Sequence, residues 1–419
     1  MLAGVRVRNT AHDALEAPSL RSVVDLALTP AYAAFRDEVR AFLQTHRHRS
    51  AGAAPAGRPS AAALAWQQLL IGHGFAGRTI PREYGGGGAE PDVLKAHLIA
   101  EEFTRARVAP PLTNQGISML IPTLLELGTP EQKRMWIGPT LRGEIIWCQG
   151  YSEPDAGSDL ASLRTSAVED GTDFIINGQK IWTSTAHLAD MMFCLVRTEP
   201  HAPKHAGITY MLLSMKTPGV EVRPLRTMTG QSEFNEVFFT NVRVPQSQRV
   251  GERGQGWAVA NATLKHERGL LGDANLLSHR LSEVIDLLRS ETVAGRRLID
   301  NPLLRDRLIQ LQGRTLALKY HGMRLLTAAI RRESAGIAAL IVKLQGCELR
   351  HQLCALAIDA LGEGGLLVRG DQRARIHGAW QERYMFDLGL IIGGGTSQIQ
   401  KNIIAERGLG MPREPKLVS

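Results

Sequence analysis

The spacing of apolar positions changes twice along the chain. From about Leu28 to Trp147 it runs in threes and fours, which predicts helices. "TPAYAAFRDEVRAFLQTH" opens with Thr29 and Pro30, suited to an N-cap and the first helical position. "PDVLKAHLIAEEFTRA" and "GISMLIPTLLELGT" continue the pattern, the second stopping at Gly128, and Thr129–Pro130 open another helix in "TPEQKRMWIGPTL". From about Cys148 to Pro245 the period falls to two. "DGT" and "NGQ" flank "DFIING" as turn signals of a short hairpin, and "MMFCLVRT", "ITYMLLSM", "VEVRPL" and "NEVFFTNVRVP" follow as strands. This block reads as a small antiparallel barrel or sandwich. After Gly256 the helical period returns. Ile337, Leu340, Leu344, Cys347, His351, Cys354, Ile358 and Leu361 form a stripe with the alternation of a bundle seam. The expected architecture is α+β, with an N-terminal extension over 1–24 and a helical domain over 25–147. A middle β domain over 148–255 and a C-terminal four-helix bundle over 256–419 complete it. The Ala/Gly/Pro/Ser-rich stretch 51–63 reads as a flexible link.

The 419 residues, 44% hydrophobic and 21% charged, suit a multidomain globular protein with a large core. No apolar run reaches the ~18 residues of a membrane span. The first twenty or so residues lack an apolar core and cleavage site, so they read as an extension, not a signal peptide. The net charge of +8 raises the question of nucleic acid, but basic residues are scattered and runs such as "RHRS" and "IRRE" are short, so a nucleic-acid partner is not expected. Cys148, Cys194, Cys347 and Cys354 form no CxxC pair and no zinc spacing, which points to reduced thiols in a cytoplasm. Cys347, Cys354 and His351 read as core residues of the seam, the histidine hydrogen-bonded.

Three stretches carry candidate chemistry. "WCQGYSEPDAGSDLASL" joins the first helical block to the β block, where ligand clefts occur. It offers backbone N–H groups and small hydroxyls to a polar ring edge or a pyrophosphate. Its Glu153, Asp155 and Asp159 read as capping and turn residues, since no further metal ligands lie nearby. In "GQKIWTSTAH", Trp182 is a flat wall followed by three hydroxyl residues, or else a core aromatic of the β block. "IIGGGTSQIQ" is a Gly-rich turn running into a helix, a place for phosphate. It contains neither acid nor base.

Together these stretches resemble the acyl-CoA dehydrogenase family of flavoproteins over roughly residues 25 to 415. "YSEPDAGSDL" is similar to that family's first signature and "GGTSQIQKNIIAER" to its second. The resemblance implies FAD between the β block and the C-terminal helices, in a homotetramer or related assembly. Gln149, Tyr151, Ser152 and Ser158 match flavin-contacting positions, with Ser158 also near the acyl-CoA. Trp182, Thr183 and Ser184 match the flavin-flanking stretch. Thr396, Ser397 and Gln398 match positions reaching the FAD phosphates and adenosine. The implied reaction converts an acyl-CoA thioester to its trans-2-enoyl-CoA. A carboxylate takes the α proton, the β hydrogen passes as hydride to flavin N5, and an electron-transfer flavoprotein reoxidises the flavin.

Many members place the base immediately before the "GT" of the second signature, where this chain has Gly394. Some, including isovaleryl-type enzymes, carry it in an "ER" pair on an earlier helix. "LKHERGLLGDANLL" matches them, which makes Glu267 the candidate base. Arg268 would then position the loop of Gly394 and the substrate, and the Gly394–Gly395 backbone would hydrogen-bond the thioester oxygen. The bland alternative is a surface ion pair. Two adenine-side motifs of the family depart. "GRRLIDNPLLRDR" leaves only Arg297 as a candidate, and in "IDALGEGGLL" Ile358 replaces a glutamine. Three other readings keep the fold: a DNA-binding flavoprotein, a flavin monooxygenase or oxidase, and a subunit completed by a different chain.

Overall fold

The computed structural model describes residues 28–52, 57–271, 274–293, 295–331, 333–334 and 338–413; the side chains of 267–271, 274–275 and 339 lie outside that description. The proposed extension, Ile337 of the seam, and the Glu267 and Arg268 side chains therefore fall outside the described residues.

The N-terminal helices are α1 (Pro30–His46), α2 (Ala61–Gly72), α3 (Val93–Ala106), α4 (Ile121–Leu127) and α5 (Pro130–Leu141). Their ends follow local chemistry. Asp92 accepts from the Leu94 and Lys95 N–H groups at the start of α3. Thr129 and Gln132 exchange side-chain and backbone bonds in a capping box on α5. The expected link over 51–63 ends early, because Ser60 accepts from Ala63 N and its alanine run starts α2.

The β block contains β1 (Trp147–Gly150), β2 (Ser166–Asp170), β3 (Asp173–Ser184), β4 (Met191–Arg197), β5 (Ile208–Ser214), β6 (Val220–Leu225), β7 (Phe234–Pro245) and β8 (Arg249–Val250). The sheet order is β6-β7-β3-β2-β4-β5-β8, with β1 on β4. Pairing is mainly antiparallel, but β1 and β2 each meet β4 in parallel. "DGT" makes the β2–β3 turn. "NGQ" does not turn: β3 runs through it, and Gly178 (φ +146°) sits at a bulge where a Cβ would lie 2.7 Å from Thr165 Cα. Alternate residues of β4 serve two cores. Met192, Cys194 and Val196 face a core shared with β3, β5 and β7, so the sheet curls round its own interior. Phe193 and Leu195 join Leu120 and Ile137 of the helical block.

The C-terminal part holds α6 (Gly256–Leu271), α7 (Ala274–Ser290), the short pair β9 (Thr292–Val293) and β10 (Arg296–Arg297), α8 (Pro302–Ile330), α9 (Ala338–Leu361), α10 (Ala379–Ile392) and α11 (Ser397–Ile403). Helix α9 packs on α7, α8 and α10 and is buried on more than the seam face, with Leu349, Leu353 and Leu356 also inside. His351 accepts its expected place, stacked on Tyr384 with Nδ1 3.2 Å from the Tyr384 carbonyl. Burial pushes the Cys354 thiol up to about 12. Helix α6 packs against β5 and α4 as well as α9, and its Val259 and Ala260 belong to the core shared by the helical and β blocks. Among the described residues no helix is long and apolar enough to cross a membrane.

Candidate active site

The stretch from Gln149 to Leu163 is fixed from below by a buried ion pair. Lys180, fully buried on β3, places Nζ 2.7 Å from Glu153 Oε1 and 3.3 Å from the Tyr151 carbonyl. Glu153 also accepts from the Arg164 and Thr165 N–H groups. Burial works to raise the Glu153 pKa, but Lys180 and these donors outweigh it, and the carboxyl titrates below its ordinary value. Glu153 is thus a structural anion, while Asp155 and Asp159 are exposed and face Arg164 and Lys204. No metal-binding group of three His, Cys, Asp or Glu occurs among the described residues.

This anchoring separates the candidate residues. The Tyr151 ring turns into the core, edge-on to Phe193 and Tyr210. Gln149 and Ser152 are half-buried, and Ser158 is exposed. Trp182 is not a core aromatic. It is 59% exposed, stands at a second bulge of β3, and has φ +60°, a rare conformation for a bulky residue. Phe234 meets its ring edge-on at 6.1 Å. Thr183 is buried beside it, its Oγ1 without a hydrogen-bond partner among the described residues. Asn235 donates to the Thr183 carbonyl and so braces the bulge from β7. Ser184 is half-buried at its end.

The second half of the site is the turn from α10 to α11. Gly394 (φ +63°) and Gly395 (φ +92°) both adopt the left-handed conformation that favours glycine. A Cβ on Gly395 would lie 2.7 Å from Gln400 Nε2. Thr396 caps the seven-residue α11 by accepting from Ile399 N. Ser397 is buried and donates to Glu348 of α9, so its hydroxyl is committed; Gln398 is exposed. Behind the turn, Lys343 of α9 donates to the Ile391 and Gly395 carbonyls.

Glu267 and Arg268 lie in the last turns of α6. Four residues before Glu267, Thr263 bonds to Thr123 of α4 at 2.9 Å and to the buried Tyr210 hydroxyl of β5 at 3.4 Å. The helix is therefore pinned to both neighbouring blocks just ahead of the candidate base. His266 next to it has its pKa lowered, by burial first and then by Lys265. Arg297 does not join the site's described residues: it is exposed on β10 and bidentate to Asp300 at 3.0 and 3.1 Å.

A cavity of about 340 Å³ opens between the 226–231 turn of the β block and α10, lined by Arg226, Met228, Arg369, Gln381, Glu382 and Met385, among others. Glu233, just beyond that turn, has its pKa raised by burial and then by the charge of Glu382. Sequence reasoning passed over Lys180, Lys343, Gln400 and Glu233. A lone lysine inside "AALIVKLQGC", and another at an inward position of β3, were the available signals.

An exposed ring at a strained bulge, a buried hydroxyl in want of a donor or acceptor, and a side-chain-free turn fit a flat, hydrogen-bonding cofactor such as a flavin.

Comparison with known proteins gives a consistent result. Residues 29–144, 148–242 and 254–409 match the family profiles described as acyl-CoA dehydrogenase N-terminal, middle and C-terminal domains. The acyl-CoA dehydrogenase IpdE1 of Mycobacterium tuberculosis is 39% identical over 357 residues, 84% of this chain and 89% of that protein. Among solved structures, the "Tcur3481-Tcur3483 steroid ACAD" superposes with a TM-score of 0.77 at 30% identity, covering 93% of this chain and 100% of the other. The ChsE4-ChsE5 complex of Mycobacterium tuberculosis gives 0.76 at 30% identity, with 93% and 100% covered.

Proposed function

The chain belongs to the acyl-CoA dehydrogenase family of flavin-dependent oxidoreductases, and from that premise we propose that it desaturates a bulky, ring-bearing acyl-CoA between Cα and Cβ with Glu267 as the base. The observation that carries this reading is the turn at Gly393–Gly395. The position where many relatives hold their base has no side chain and a left-handed backbone. The carboxylate must then come from elsewhere, and the end of α6, pinned through Thr263 and crossing the same α9 that backs the turn, supports Glu267.

Bound FAD would supply the two-electron acceptor for the β hydrogen. Gln149, Ser152, Trp182, Thr183 and Ser184, with the Tyr151 backbone, would hold its ring portion, and Thr396 and Gln398 its phosphate and adenosine portion. Ser397, tied to Glu348, would steady that segment, and Arg297 would reach the adenine side only by giving up Asp300. The chain's own part in the reaction is proton removal and charge stabilisation. Glu267 takes the α proton, Arg268 orders the turn and the substrate, and peptide N–H groups of the Gly394–Gly395 segment receive the thioester oxygen as negative charge grows on it. Ser158 lies on the exposed side of the first signature, open to the CoA portion. A turn without side chains leaves room for a broad acyl group, and the similarity to a steroid-acting relative supports a ring-bearing one. An electron-transfer flavoprotein is the proposed acceptor.

Incubating the holoprotein with straight-chain and ring-bearing acyl-CoAs and a redox dye, then weighing the products, tests this. Loss of two hydrogens from ring-bearing substrates is expected. Loss only from straight chains would overturn the substrate class, and no loss from any would overturn the reaction.

A second reading concerns assembly. Arg297 is engaged by Asp300, Ile358 replaces a polar side chain, and the similar ChsE4-ChsE5 structure is a complex of two different chains. These features support a heteromer whose second chain completes the adenine side, in place of a homo-oligomer. Full FAD occupancy of the purified single chain would argue against it.

A further inference from the structure

A chain of hydroxyls runs through the core shared by the helical block, the sheet and α6. Thr123 of α4, Thr263 of α6 and Tyr210 of β5 are all fully buried there. The two threonine Oγ1 atoms lie 2.9 Å apart, and Thr263 Oγ1 is 3.4 Å from the Tyr210 hydroxyl. Each threonine also reaches the carbonyl four residues back, Thr123 that of Met119 at 2.7 Å and Thr263 that of Val259 at 3.1 Å. From the segment after β1, Tyr151 bonds to the same phenol, its ring edge-on at 6.3 Å. Burial raises the Tyr210 pKa above its ordinary value, so the phenol stays neutral and both gives and takes a hydrogen bond.

The rest of this interface is apolar. Val259 and Ala260 of α6 pack with Leu120 and Leu124. Such contacts have no direction, and small side chains let a helix turn about its axis at little cost. Hydrogen bonds are directional and do not. Valine would nearly match the shape of Thr123 and Thr263 without the cost of burying a hydroxyl, so the hydroxyls contribute something other than bulk. Residues four apart share a helix face, which places position 267 one turn beyond Thr263 on the face that the chain fixes. Tyr210 joins that helix to Tyr151, inside the first-signature segment.

We propose that Thr263 and Tyr210 are positioning residues for proton removal: their hydroxyls fix the rotation of α6, so that position 267 keeps one register with the first-signature segment. This rests on the reading above that Glu267 is the base. Both side chains are fully buried and act through the helix.

The test reads proton removal apart from hydride transfer. Holoprotein with oxidised flavin is placed in heavy water with (cyclohexylthio)acetyl-CoA, a ring-bearing thioester with sulfur in place of Cβ and so no β hydrogen to lose. The base can only take an α proton, leave its electron pair on the enolate and return a deuteron, which NMR follows. The wild type is expected to exchange, and Glu267→Gln to do so at least about a hundredfold more slowly. Thr263→Val leaves Thr123 on the Met119 carbonyl and Tyr210 on Tyr151. It should keep its flavin and bind the ligand within about twofold of wild type, yet exchange about tenfold more slowly. Thr263→Ser should restore most of the rate. Exchange at the wild-type rate in Thr263→Val, or a rate that falls only in step with flavin content and affinity, overturns the positioning role. Glu267→Gln exchanging as fast as wild type, or a wild type that does not exchange, removes the reading of the base and the proposal with it; that outcome shows without any Thr263 variant. Should Thr263→Val not fold, Tyr210→Phe, which removes the phenol oxygen alone, decides the matter by the same comparison.

Discussion

Two residues spaced two apart on β3, which regular alternation would put on one face, do opposite things. Lys180 points inward and neutralises Glu153, whereas Trp182, past the bulge, is pushed outward on a strained backbone. Lys180→Met would leave Glu153 buried and unpaired, at a cost of about 3–5 kcal/mol, read as a fall in chemical-denaturation stability. The same pair sets an acid limit. The folded Glu153 pKa lies below its unfolded value, so its stabilisation is present above the unfolded pKa and is lost as pH falls through the folded one. Glu153→Gln should be less stable than wild type at neutral pH but lose less between about pH 5 and 3, which melting curves across that range would reveal. Trp182→Ala removes an exposed side chain, so stability should change by under about 1 kcal/mol while flavin retention on a desalting column drops sharply. A variant that melts early but keeps its flavin would return Trp182 to the status of a core residue. The sequence carried the Trp182 stretch as a motif. It could not show which way the ring faces, because the bulge that reverses the alternation depends on pairing with β7.

At the scale of elements, periodicity and capping residues located α1, α3, α5 and α9, and "DGT" marked a real hairpin, whereas α2, α7, α8 and α10 were not individually placed. "NGQ" failed as a turn because β3 gains pairing with β7 on both sides of it, and a glycine bulge keeps the strand continuous. Gly178→Ala should therefore cost about 2 kcal/mol or more, since its Cβ would meet Thr165 backbone at a φ that alanine rarely takes. Equilibrium unfolding of the variant checks this, and an unchanged midpoint would mean the bulge relaxes freely. The Gly393–Gly395 turn was legible as glycine-rich. Of the side chains that hold it, Gln400 is local, but Lys343 lies 52 residues from Gly395, and a contact at that separation leaves little local trace.

Across the whole molecule the cores are unequal partners. One joins the N-terminal helices, the sheet and α6, while another is confined to residues 277–380 of the bundle. Beside the latter, Asp387 is buried between Arg280 and Arg350, and Cys354 lies against it. Asp387→Leu should take the shared carboxylate from the buried Arg280 and the half-buried Arg350, at about 3–5 kcal/mol. Calorimetry should show a bundle transition moving down while the transition of the shared core stays in place; a single transition shifting as one would show that the two cores unfold together. The candidate base stands at the end of α6, the helix that belongs to the shared core and crosses α9 of the bundle, so chemistry would depend on both parts being in register. The most direct measurement is anaerobic titration of the FAD-loaded protein with a ring-bearing acyl-CoA, following flavin absorbance, for wild type and Glu267→Gln side by side. Bleaching of the wild type, with Glu267→Gln binding the ligand yet staying oxidised at least a thousandfold longer (on the order of the loss of an essential base), is the expected result; equal bleaching of both would contradict Glu267 as the base.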